Sequence, residues 1–394
     1  MVNRSLRIAV WWCRPCKAIS PVLRELANMD GVALEVFLLE GLSDERRRLG
    51  WSVPDFGRAS CEYLPVGDAK QRQFIESFQY TDYDLHIVNS AYNWWQMNLV
   101  IDRVVAVGGR YGVMTEAPFN QYRGLRRIAK SVYVKTLLRT RVRPRAQKAA
   151  FVCSLSGEAL NARRNLNRMG FKGEAIYRFG YFPDPLEGMR AHAKAVGHTA
   201  LILCTGYLTQ NKGQALLIEA INLVRQRNPT LRFQCVITGY GPIRSDLQRQ
   251  IEKYGLESVV ELSGVVSDEI LLSLYRKADL FVAPAYEEPW GIRINDSIQC
   301  GVPLVVSDRI GAAELLTAAS GGTCFKAGNL HSLSVAIERM LVGVEGLVRA
   351  QERLLAYRKF IHPGVAAGYL LEIIRFSLGH GERPGNPPWI RGGV

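Results

Sequence analysis

With 394 residues, the chain is long enough for two α/β domains, and its 48% hydrophobic against 22% charged content is typical of a soluble globular protein. It contains no run of about 18 apolar residues, so we expect no membrane-spanning helix. Lys and Arg number 50 against 36 Asp and Glu, and the formal charge of +14 favours phosphate-bearing partners over cationic ones.

The chain begins with a predicted buried strand, Arg7–Trp12, followed by a predicted helix, Pro21–Met29. The apolar run Ile8–Trp12 is too short for a signal peptide, and no small-residue cleavage site follows it. We therefore expect a cytoplasmic protein, which could also lie peripherally on the inner face of the cytoplasmic membrane.

The turn between these two elements contains Cys13-Arg14-Pro15-Cys16, which resembles the redox motif of thioredoxins. No X-Pro segment stands at a suitable distance to match the cis-proline loop of that family. A Rossmann-like domain also needs a strand, a turn and a helix at this point. We favour the structural interpretation and leave a redox role of Cys13 and Cys16 as the alternative.

Three more strands follow in the first half, with helical stretches between them. They are Ala33–Leu39, Leu85–Asn89 and Arg110–Thr115. Such alternation predicts βαβ units and a parallel sheet. Asp82 and Asp84 have the spacing of a metal-binding pair, but they directly precede a strand, so we interpret them as a strand start and predict no metal site.

A basic segment, residues 123–148, follows these strands. Its ten basic residues, with no acidic one between Tyr122 and Lys148, are Arg123, Arg126, Arg127, Lys130, Lys135, Arg139, Arg141, Arg143, Arg145 and Lys148. Leu125, Ile128 and Val132 are interleaved at helical spacing, so an apolar stripe would lie beside a basic one. This pattern predicts docking on an anionic membrane surface; a solvated helix face is the alternative.

The second half shows the clearer alternation, after a polar linker at residues 183–199. The predicted strands are Ala200–Thr205, Phe233–Thr238, Val259–Ser263, Leu280–Pro284 and Pro303–Ser307. The predicted helices are Gln214–Gln226, Ile243–Tyr254, Asp268–Ala278, Ile292–Cys300 and Leu330–Leu341. Glycine-rich turns follow the first three strands, and in open α/β sheets ligands bind at this end of the strands. Glycines there let backbone amides approach phosphates closely.

The segment Glu287–Asp308 has the sequence EEPWGIRINDSIQCGVPLVVSD, with two acidic residues, Glu288 and Asp296, eight positions apart. It resembles the donor-site motif of the family 4 retaining glycosyltransferases, and is similar to members that build bacterial surface polysaccharides. The resemblance extends over roughly Leu201–Leu341. It implies a GT-B fold, an α/β architecture of two facing Rossmann-like domains with a cleft between them.

The family's site residues carry over onto this chain one by one. The resemblance implies catalytic roles for Glu288, Lys212 and Glu116. It implies donor-binding roles for Gly206, Tyr207, Lys212, Gly239, Gly241, Val266, Pro289, Trp290, Gly291, Ile292, Arg293 and Asp296. Two positions depart from the family pattern: Tyr207 stands where an arginine is usual, and Asp296 where a glutamate is usual. Arg293 is a candidate to supply the missing phosphate contact.

The first half resembles the family more weakly, because Cys13 to Lys17 replaces its first glycine-rich turn. Glu116 resembles an acid of some surface-polysaccharide members. The predicted domains are residues 1–182 on the acceptor side and 200–360 on the donor side. A helix at residues 361–378 would cross back to the first domain, and residues 379–394, rich in glycine and proline, would be disordered.

The resemblance implies a retaining glycosyltransferase that needs no metal and no cofactor, with a nucleoside diphosphate sugar as substrate. The acceptor would be a glycan or a lipid-linked glycan, and the donor base, the sugar and the linkage stay open. One alternative is a non-catalytic nucleotide-sugar-binding partner of the same fold. A further alternative, a basic nucleic-acid-binding protein, accounts only for residues 123–148, so we predict no nucleic-acid partner.

Overall fold

The computed structural model describes residues 4–43, 52–118, 124–186 and 199–391. The chain divides into two compact units. The first unit comprises residues 1–184 and 362–388, and the second comprises residues 185–361 and 389–394. Each unit contains a parallel sheet with helices, as the alternation of predicted strands and helices indicates.

The first unit is built on a seven-stranded sheet in the order β3-β2-β1-β4-β5-β6-β7, and every pair is parallel. Its strands are Leu6–Trp12 (β1), Val32–Leu38 (β2), Ser60–Tyr63 (β3), Leu85–Asn89 (β4), Tyr111–Thr115 (β5), Phe151–Ser154 (β6) and Ile176–Arg178 (β7). The α-helices of this unit are Ser20–Ala27, Asp68–Ser77, Trp95–Ala106, Gly124–Tyr133, Arg139–Ala146, Ala162–Arg168 and Pro363–Ser377.

The central strands of this sheet are buried on both faces, which is why they read as continuous apolar runs. In β1, every residue from Ile8 to Trp12 is buried. The helix Pro363–Ser377 belongs to this unit although it comes late in the chain, and it packs against Ser20–Ala27. Pro363 stands in its first turn, where the missing N–H is harmless, and His362 Nδ1 accepts a hydrogen bond from Gly364 N at 3.1 Å.

The second unit is built on a six-stranded parallel sheet in the order β10-β9-β8-β11-β12-β13. Its strands are Ala200–Thr205 (β8), Phe233–Thr238 (β9), Val260–Gly264 (β10), Leu280–Ala283 (β11), Leu304–Ser307 (β12) and Gly322–Phe325 (β13). Its α-helices are Gln214–Arg227, Arg244–Lys253, Asp268–Lys277, Arg293–Gln299, Ala313–Ala319, Leu330–Val342, Val344–Tyr357 and Pro388–Arg391. The order reverses direction at β8, where the chain crosses from the β9 side to the β11 side.

The C-terminal segment differs from the disorder expected from its glycine and proline content. It is described as far as Arg391 and ends in the short helix Pro388–Arg391. Trp389 is fully buried, and its carbonyl accepts a hydrogen bond from the Tyr357 hydroxyl. Burying the indole of Trp389 removes a large apolar area from water. This gain offsets the conformational entropy that the segment loses when it becomes ordered.

Of the linker predicted at residues 183–199, positions 187–198 lie outside the described residues, as does Arg123 of the basic segment. The described positions of the linker form no helix or strand. Within the ranges described, no helix is both long and apolar enough to cross a membrane.

A buried histidine makes the stability of the first unit depend on pH. The indole Nε1 of Trp11 donates to His86 Nδ1 at 3.3 Å, so His86 carries its proton on Nε2, which lies 3.1 Å from the carbonyl of Tyr80. Burial lowers the pKa of His86 from 6.5 to about 4. A second proton would stand on Nδ1 against the Trp11 N–H, so the folded state disfavours the charged ring.

We therefore expect this unit to lose stability as pH falls from about 6.5 to about 4, because the unfolded chain binds the proton and the folded chain does not. The loss can reach about 3 kcal/mol, at about 1.4 kcal/mol per pKa unit. Urea unfolding at several pH values measures it. His86→Gln, which stays neutral and can keep both hydrogen bonds, should flatten that dependence. Equal slopes for the two proteins would show that His86 is not the group responsible.

Candidate functional site

Polar and glycine-rich turns of the second unit follow neighbouring strands and therefore lie side by side. All six strands are parallel, so their carboxyl ends meet at one edge of the sheet. Along that edge the strand order places Val266 after β10, Tyr240 after β9, Lys212 after β8, Glu288 after β11 and Arg309 after β12. Residues that are far apart in the chain thus form one row, which we call the donor row.

Two glycines of this row are required by close packing of the turns themselves. Gly239 has φ +131°, and a Cβ there would lie 1.9 Å from the carbonyl oxygen of Gly206. At Gly241 a Cβ would lie 2.2 Å from the carbonyl oxygen of Leu208. Gly206 also has a positive φ, +146°, but a Cβ there would meet open space. Of these three predicted donor-binding glycines, Gly206 is thus the one that leaves room beside the backbone.

Lys212 and Glu288 form an ion pair across the ends of β8 and β11. Lys212 Nζ lies 2.5 Å from Glu288 Oε2, and both side chains are partly exposed. The turn that carries Lys212 is fastened to the segment that carries Glu288, since Asn211 Nδ2 donates to the Glu287 carbonyl at 2.6 Å. The amide of Tyr286 donates to the Asn211 carbonyl at 2.8 Å. The two predicted catalytic groups of this unit are therefore brought together by backbone contacts as well as by charge.

The loop after Glu288 is clamped on the opposite side by the segment after β12. Glu288 N donates to the Arg309 carbonyl at 3.0 Å, and Gly311 N donates to the Glu288 carbonyl at 3.0 Å. Trp290 is buried, and its Nε1 donates to Asn295 Oδ1 at 2.9 Å. Because the backbone is held on both sides, the Glu288 carboxylate is presented from a rigid support.

The loop then turns at Gly291, where φ is +91° and a Cβ would lie 2.7 Å from Ile310. Pro289 and Ile292 complete this turn, and Ile292 precedes the helix Arg293–Gln299. Pro289, Trp290, Gly291 and Ile292 therefore position the acid and the helix through packing and backbone geometry.

The second acid of the motif, Asp296, is buried and pairs with a residue of its own helix. Arg293 Nη1 lies 2.8 Å from Asp296 Oδ2. Burial raises the pKa of Asp296, and the guanidinium of Arg293 opposes that rise. The cation considered as a substitute for the arginine missing at position 207 is thus engaged by Asp296, another of the predicted donor-binding residues.

In the donor row, the side chain of Tyr207 makes an aromatic contact rather than an ionic one. Its side chain is 46% exposed, and its ring meets Tyr240 edge to face with the centroids 4.9 Å apart. Tyr240 was not predicted from the sequence, and neither was Arg309, whose Nη2 lies 3.3 Å from Glu287 Oε2. The available signal was their position directly after a strand end, which for Tyr240 lies between two glycines.

In the first unit, Glu116 follows β5 and accepts a hydrogen bond from the hydroxyl of Tyr181 at 3.1 Å. Asp84 of the Asp82/Asp84 pair accepts a hydrogen bond from the backbone of Arg7 at 2.8 Å, which agrees with a strand start. The described part of the chain contains no cluster of three or more His, Cys, Asp or Glu side chains that could hold a metal ion.

Cys13 and Cys16 are partly buried thiols in the turn after β1 and are not joined in a disulfide. The Cys13 carbonyl accepts from Glu40 N at 3.1 Å, and the Cys16 carbonyl accepts from the Ser20 hydroxyl at 2.8 Å, so both backbones hold the turn. Burial raises the pKa of Cys13, and the neighbouring Cys16 adds to the rise. A reactive cysteine needs a lowered pKa, so this environment favours the structural interpretation.

We therefore expect the double change Cys13→Ser and Cys16→Ser to leave the transfer activity implied by the sequence resemblance within about twofold, since only the shape of the turn is needed. Steady-state rates of both proteins under reducing and oxidising conditions measure this. Insulin-reductase activity of the unmodified protein, or loss of transfer on the double change, would restore the redox interpretation.

Comparison with known families identifies most of the second unit. Residues 189–352 match the family model described as glycosyl transferases group 1. Over 113 residues the chain is 34% identical to mannosylfructose-phosphate synthase of Agrobacterium fabrum, which covers 27% of this chain and 25% of that protein. It is 28% identical over 204 residues to α-D-kanosaminyltransferase of Streptomyces kanamyceticus, covering 50% and 52% of the two chains. The chain thus spans from a quarter to about half of these relatives' lengths.

Solved structures match over nearly the whole chain. HepE of Anabaena in complex with UDP aligns with a TM-score of 0.72 at 16% identity, covering 94% of this chain and 100% of that one. Its complex with UDP-glucose gives 0.68 at 15% identity with the same coverage. At this identity the likeness establishes the fold, which is GT-B. The match of residues 189–352 relates this part of the chain to the group 1 glycosyltransferases.

Proposed function

We propose that the protein transfers a sugar from a nucleoside diphosphate sugar to an acceptor hydroxyl, with retention of configuration and without a metal ion or a cofactor. The observation that carries this proposal is the Lys212–Glu288 pair within the donor row. Such a donor has two parts, a diphosphate and a sugar. Rigid, neighbouring strand ends here carry a cation suited to the diphosphate and a carboxylate suited to the sugar.

The chemistry assigned to each residue follows from its charge and place. Lys212 would leave Glu288 and neutralise the diphosphate, and Glu288 would then accept hydrogen bonds from hydroxyls of the donor sugar. Asp296 would accept hydrogen bonds from the ribose, and Val266 would hold the base through its backbone. The acceptor hydroxyl attacks from the face that the diphosphate leaves, and a phosphate oxygen takes its proton. Stabilising charge on the leaving group is the main catalytic contribution.

A thermal-shift screen against UDP-glucose, GDP-mannose and dTDP-glucose tests the donor class. The HepE structures contain UDP and UDP-glucose, so we expect the UDP sugar to give the largest shift. A ligand at 100 times its dissociation constant adds about 2.7 kcal/mol of stability. Release of UDP that persists in EDTA would support metal independence. Binding without any donor hydrolysis or transfer would favour the alternative, a non-catalytic nucleotide-sugar-binding partner.

We also propose that residues 123–148 dock on an anionic membrane, beside a lipid-linked glycan acceptor. Ile128, Val132 and Leu137 are 60%, 54% and 61% exposed. Arg139, Arg141 and Arg143 are exposed in the same segment, whereas Arg145 is paired with Asp102 at 2.7 Å. Exposed apolar side chains beside cations are what an interfacial helix presents to headgroups and acyl chains. Each cation near the surface contributes about 1 kcal/mol, within a Debye length of about 8 Å at physiological salt.

Co-sedimentation with vesicles measures this docking. We expect binding to phosphatidylglycerol vesicles that falls as salt rises, and little binding to phosphatidylcholine vesicles. Replacing Lys130, Arg139 and Arg141 by Glu, or Ile128 and Val132 by Ser, should weaken it at least tenfold. Val348→Ser, at a residue 45% exposed in the second unit, is the matched control. Equal binding to both kinds of vesicle would contradict the proposal.

A further inference from the structure

A carboxylate and a phenol meet at the carboxyl edge of the first unit's sheet. Glu116 directly follows β5, and Tyr181 follows β7, two strands away in the sheet order. The Tyr181 hydroxyl donates to Glu116 Oε1 at 3.1 Å, and this hydrogen bond spans the end of β6. Neither strand requires this contact, since both are held by their own ladders.

The segment that carries Tyr181 is anchored on both sides of it. Phe179 and Phe182 are fully buried, and their rings meet edge to face with the centroids 5.9 Å apart. Phe179 N donates to the Ser154 carbonyl at 3.0 Å, and Phe182 N donates to the Ala18 carbonyl at 3.1 Å. A side chain between two buried anchors has little freedom, so the hydroxyl is held in place before any substrate binds.

The backbone around Glu116 is held as firmly. The Tyr92 hydroxyl donates to the Glu116 carbonyl, and Ala117 N donates to the Ser156 hydroxyl at 3.0 Å. Thr115 is buried and its hydroxyl lies 3.3 Å from that of Tyr92. The carboxylate therefore sits on a fixed backbone, and Tyr181 supplies a contact that selects its direction.

Tyr181 stays a donor over the physiological pH range. Burial raises the pKa of Tyr181 well above its usual value, and the negative charge of Glu116 raises it further. Among the described residues, Tyr92 and the thiols Cys13 and Cys16 are titratable groups that lie beside the pair. Burial also raises the pKa of Tyr92 and of Cys13, so Tyr92 and Cys13 stay neutral. A neutral donor on a carboxylate favours its ionised form, and that form accepts up to about four hydrogen bonds.

We propose that Tyr181 is a positioning residue, which keeps the Glu116 carboxylate ionised and aimed for the acceptor hydroxyl. This inference rests on the proposed function, because it gives Glu116 a substrate to hold. Tyr181 makes and breaks no bond in the reaction. Its hydrogen bond with Glu116 is present before the acceptor binds, so the carboxylate does not have to be reoriented during turnover.

The first test needs no substrate. In protein labelled with ¹³C at the glutamate carboxyls, the signal absent from Glu116→Gln identifies Glu116, and a pH titration gives its pKa. Tyr181→Phe should raise that pKa by about one unit, since a hydrogen bond to a charged group is lost. Tyr369→Phe is the matched control: its hydroxyl donates to the Gly385 carbonyl at 3.0 Å and its ring stacks on Phe179. An unchanged Glu116 pKa in Tyr181→Phe overturns the proposal.

The second test follows UDP release from UDP-glucose across pH, with a panel of alkyl glycosides as acceptors. Tyr181→Phe should shift the acid limb of kcat/KM upward by about one unit and recover most activity at higher pH. An equal loss at every pH would indicate a merely structural role and overturn the proposal. Donor hydrolysis in the absence of acceptor distinguishes a failure of this inference from a failure of the proposed function. If it persists while Glu116→Gln and Tyr181→Phe transfer normally, this inference fails and the proposed function stands; if nucleotide binding and hydrolysis are both absent, both fail.

Discussion

Replacing Lys212 by alanine is expected to weaken donor binding and to slow transfer together. In the proposed mechanism its ammonium meets the diphosphate in the ground state, and it meets a larger negative charge as the sugar departs. Loss of such a contact reduces transition-state stabilisation by about 2–4 kcal/mol, which is about 30- to 1000-fold in kcat/KM. The change also leaves Glu288 without the partner that lies 2.5 Å away, so a carboxylate would face the diphosphate unpaired.

Calorimetric titration with UDP and steady-state kinetics with the donor measure the two effects. Lys212→Arg keeps the charge and should lie between the alanine variant and the unmodified protein. Lys253→Ala removes a cation at the end of the helix Arg244–Lys253, outside the donor row, and should change neither quantity. Unchanged kinetics for Lys212→Ala would place the phosphate contact at another residue of the unit.

Replacing Glu288 by glutamine is expected to separate binding from turnover. The predicted contact is with hydroxyls of the donor sugar and not with the nucleotide, so the affinity for UDP should not fall. Transfer should fall by about 10- to 100-fold, since a hydrogen bond to a charged acceptor contributes about 1.5–3 kcal/mol. Near-normal turnover by this variant would remove the role assigned to Glu288.

Glu287→Gln is the matched control for that variant. Glu287 is the next carboxylate in the chain, but it pairs with Arg309 at 3.3 Å rather than with Lys212. It should therefore retain most of the transfer activity. Comparable losses of transfer activity in Glu288→Gln and Glu287→Gln would mean that the total charge of the segment matters, and not the position of the Glu288 carboxylate.

From β8 to β12 the second unit could be predicted from the sequence element by element, whereas β13 and the helices Ala313–Ala319 and Val344–Tyr357 escaped prediction. The bounds of β8 and β9 match the predicted strands Ala200–Thr205 and Phe233–Thr238 residue for residue. These strands are buried apolar runs closed by glycine, which is a strong local signal. In the first unit, β3 is a wholly exposed edge strand, and β7 has three residues. Neither shows a periodic pattern, so both escaped prediction.

The residues of the candidate site likewise divide into those that could be predicted from the sequence and those that could not. Lys212 and Glu288 could be proposed because a motif carries them, and the strand order accounts for their meeting. The pairing of Arg293 with Asp296 depends on rotamers within one helix, which residue types alone do not determine. Tyr181 could not have been found, because its partner lies 65 positions away and only the order of β5, β6 and β7 joins them.

The ion pair between Lys212 and Glu288 has a further consequence for the end of the catalytic cycle. In the proposed mechanism the nucleotide left behind after transfer holds Lys212, and Glu288 lies within reach to take the lysine back. The carboxylate would then act as an internal competitor that shortens the residence time of the product. Glutamine at this position competes poorly, so the same variant that slows chemistry should also slow the dissociation of UDP, a rate that stopped-flow displacement can measure.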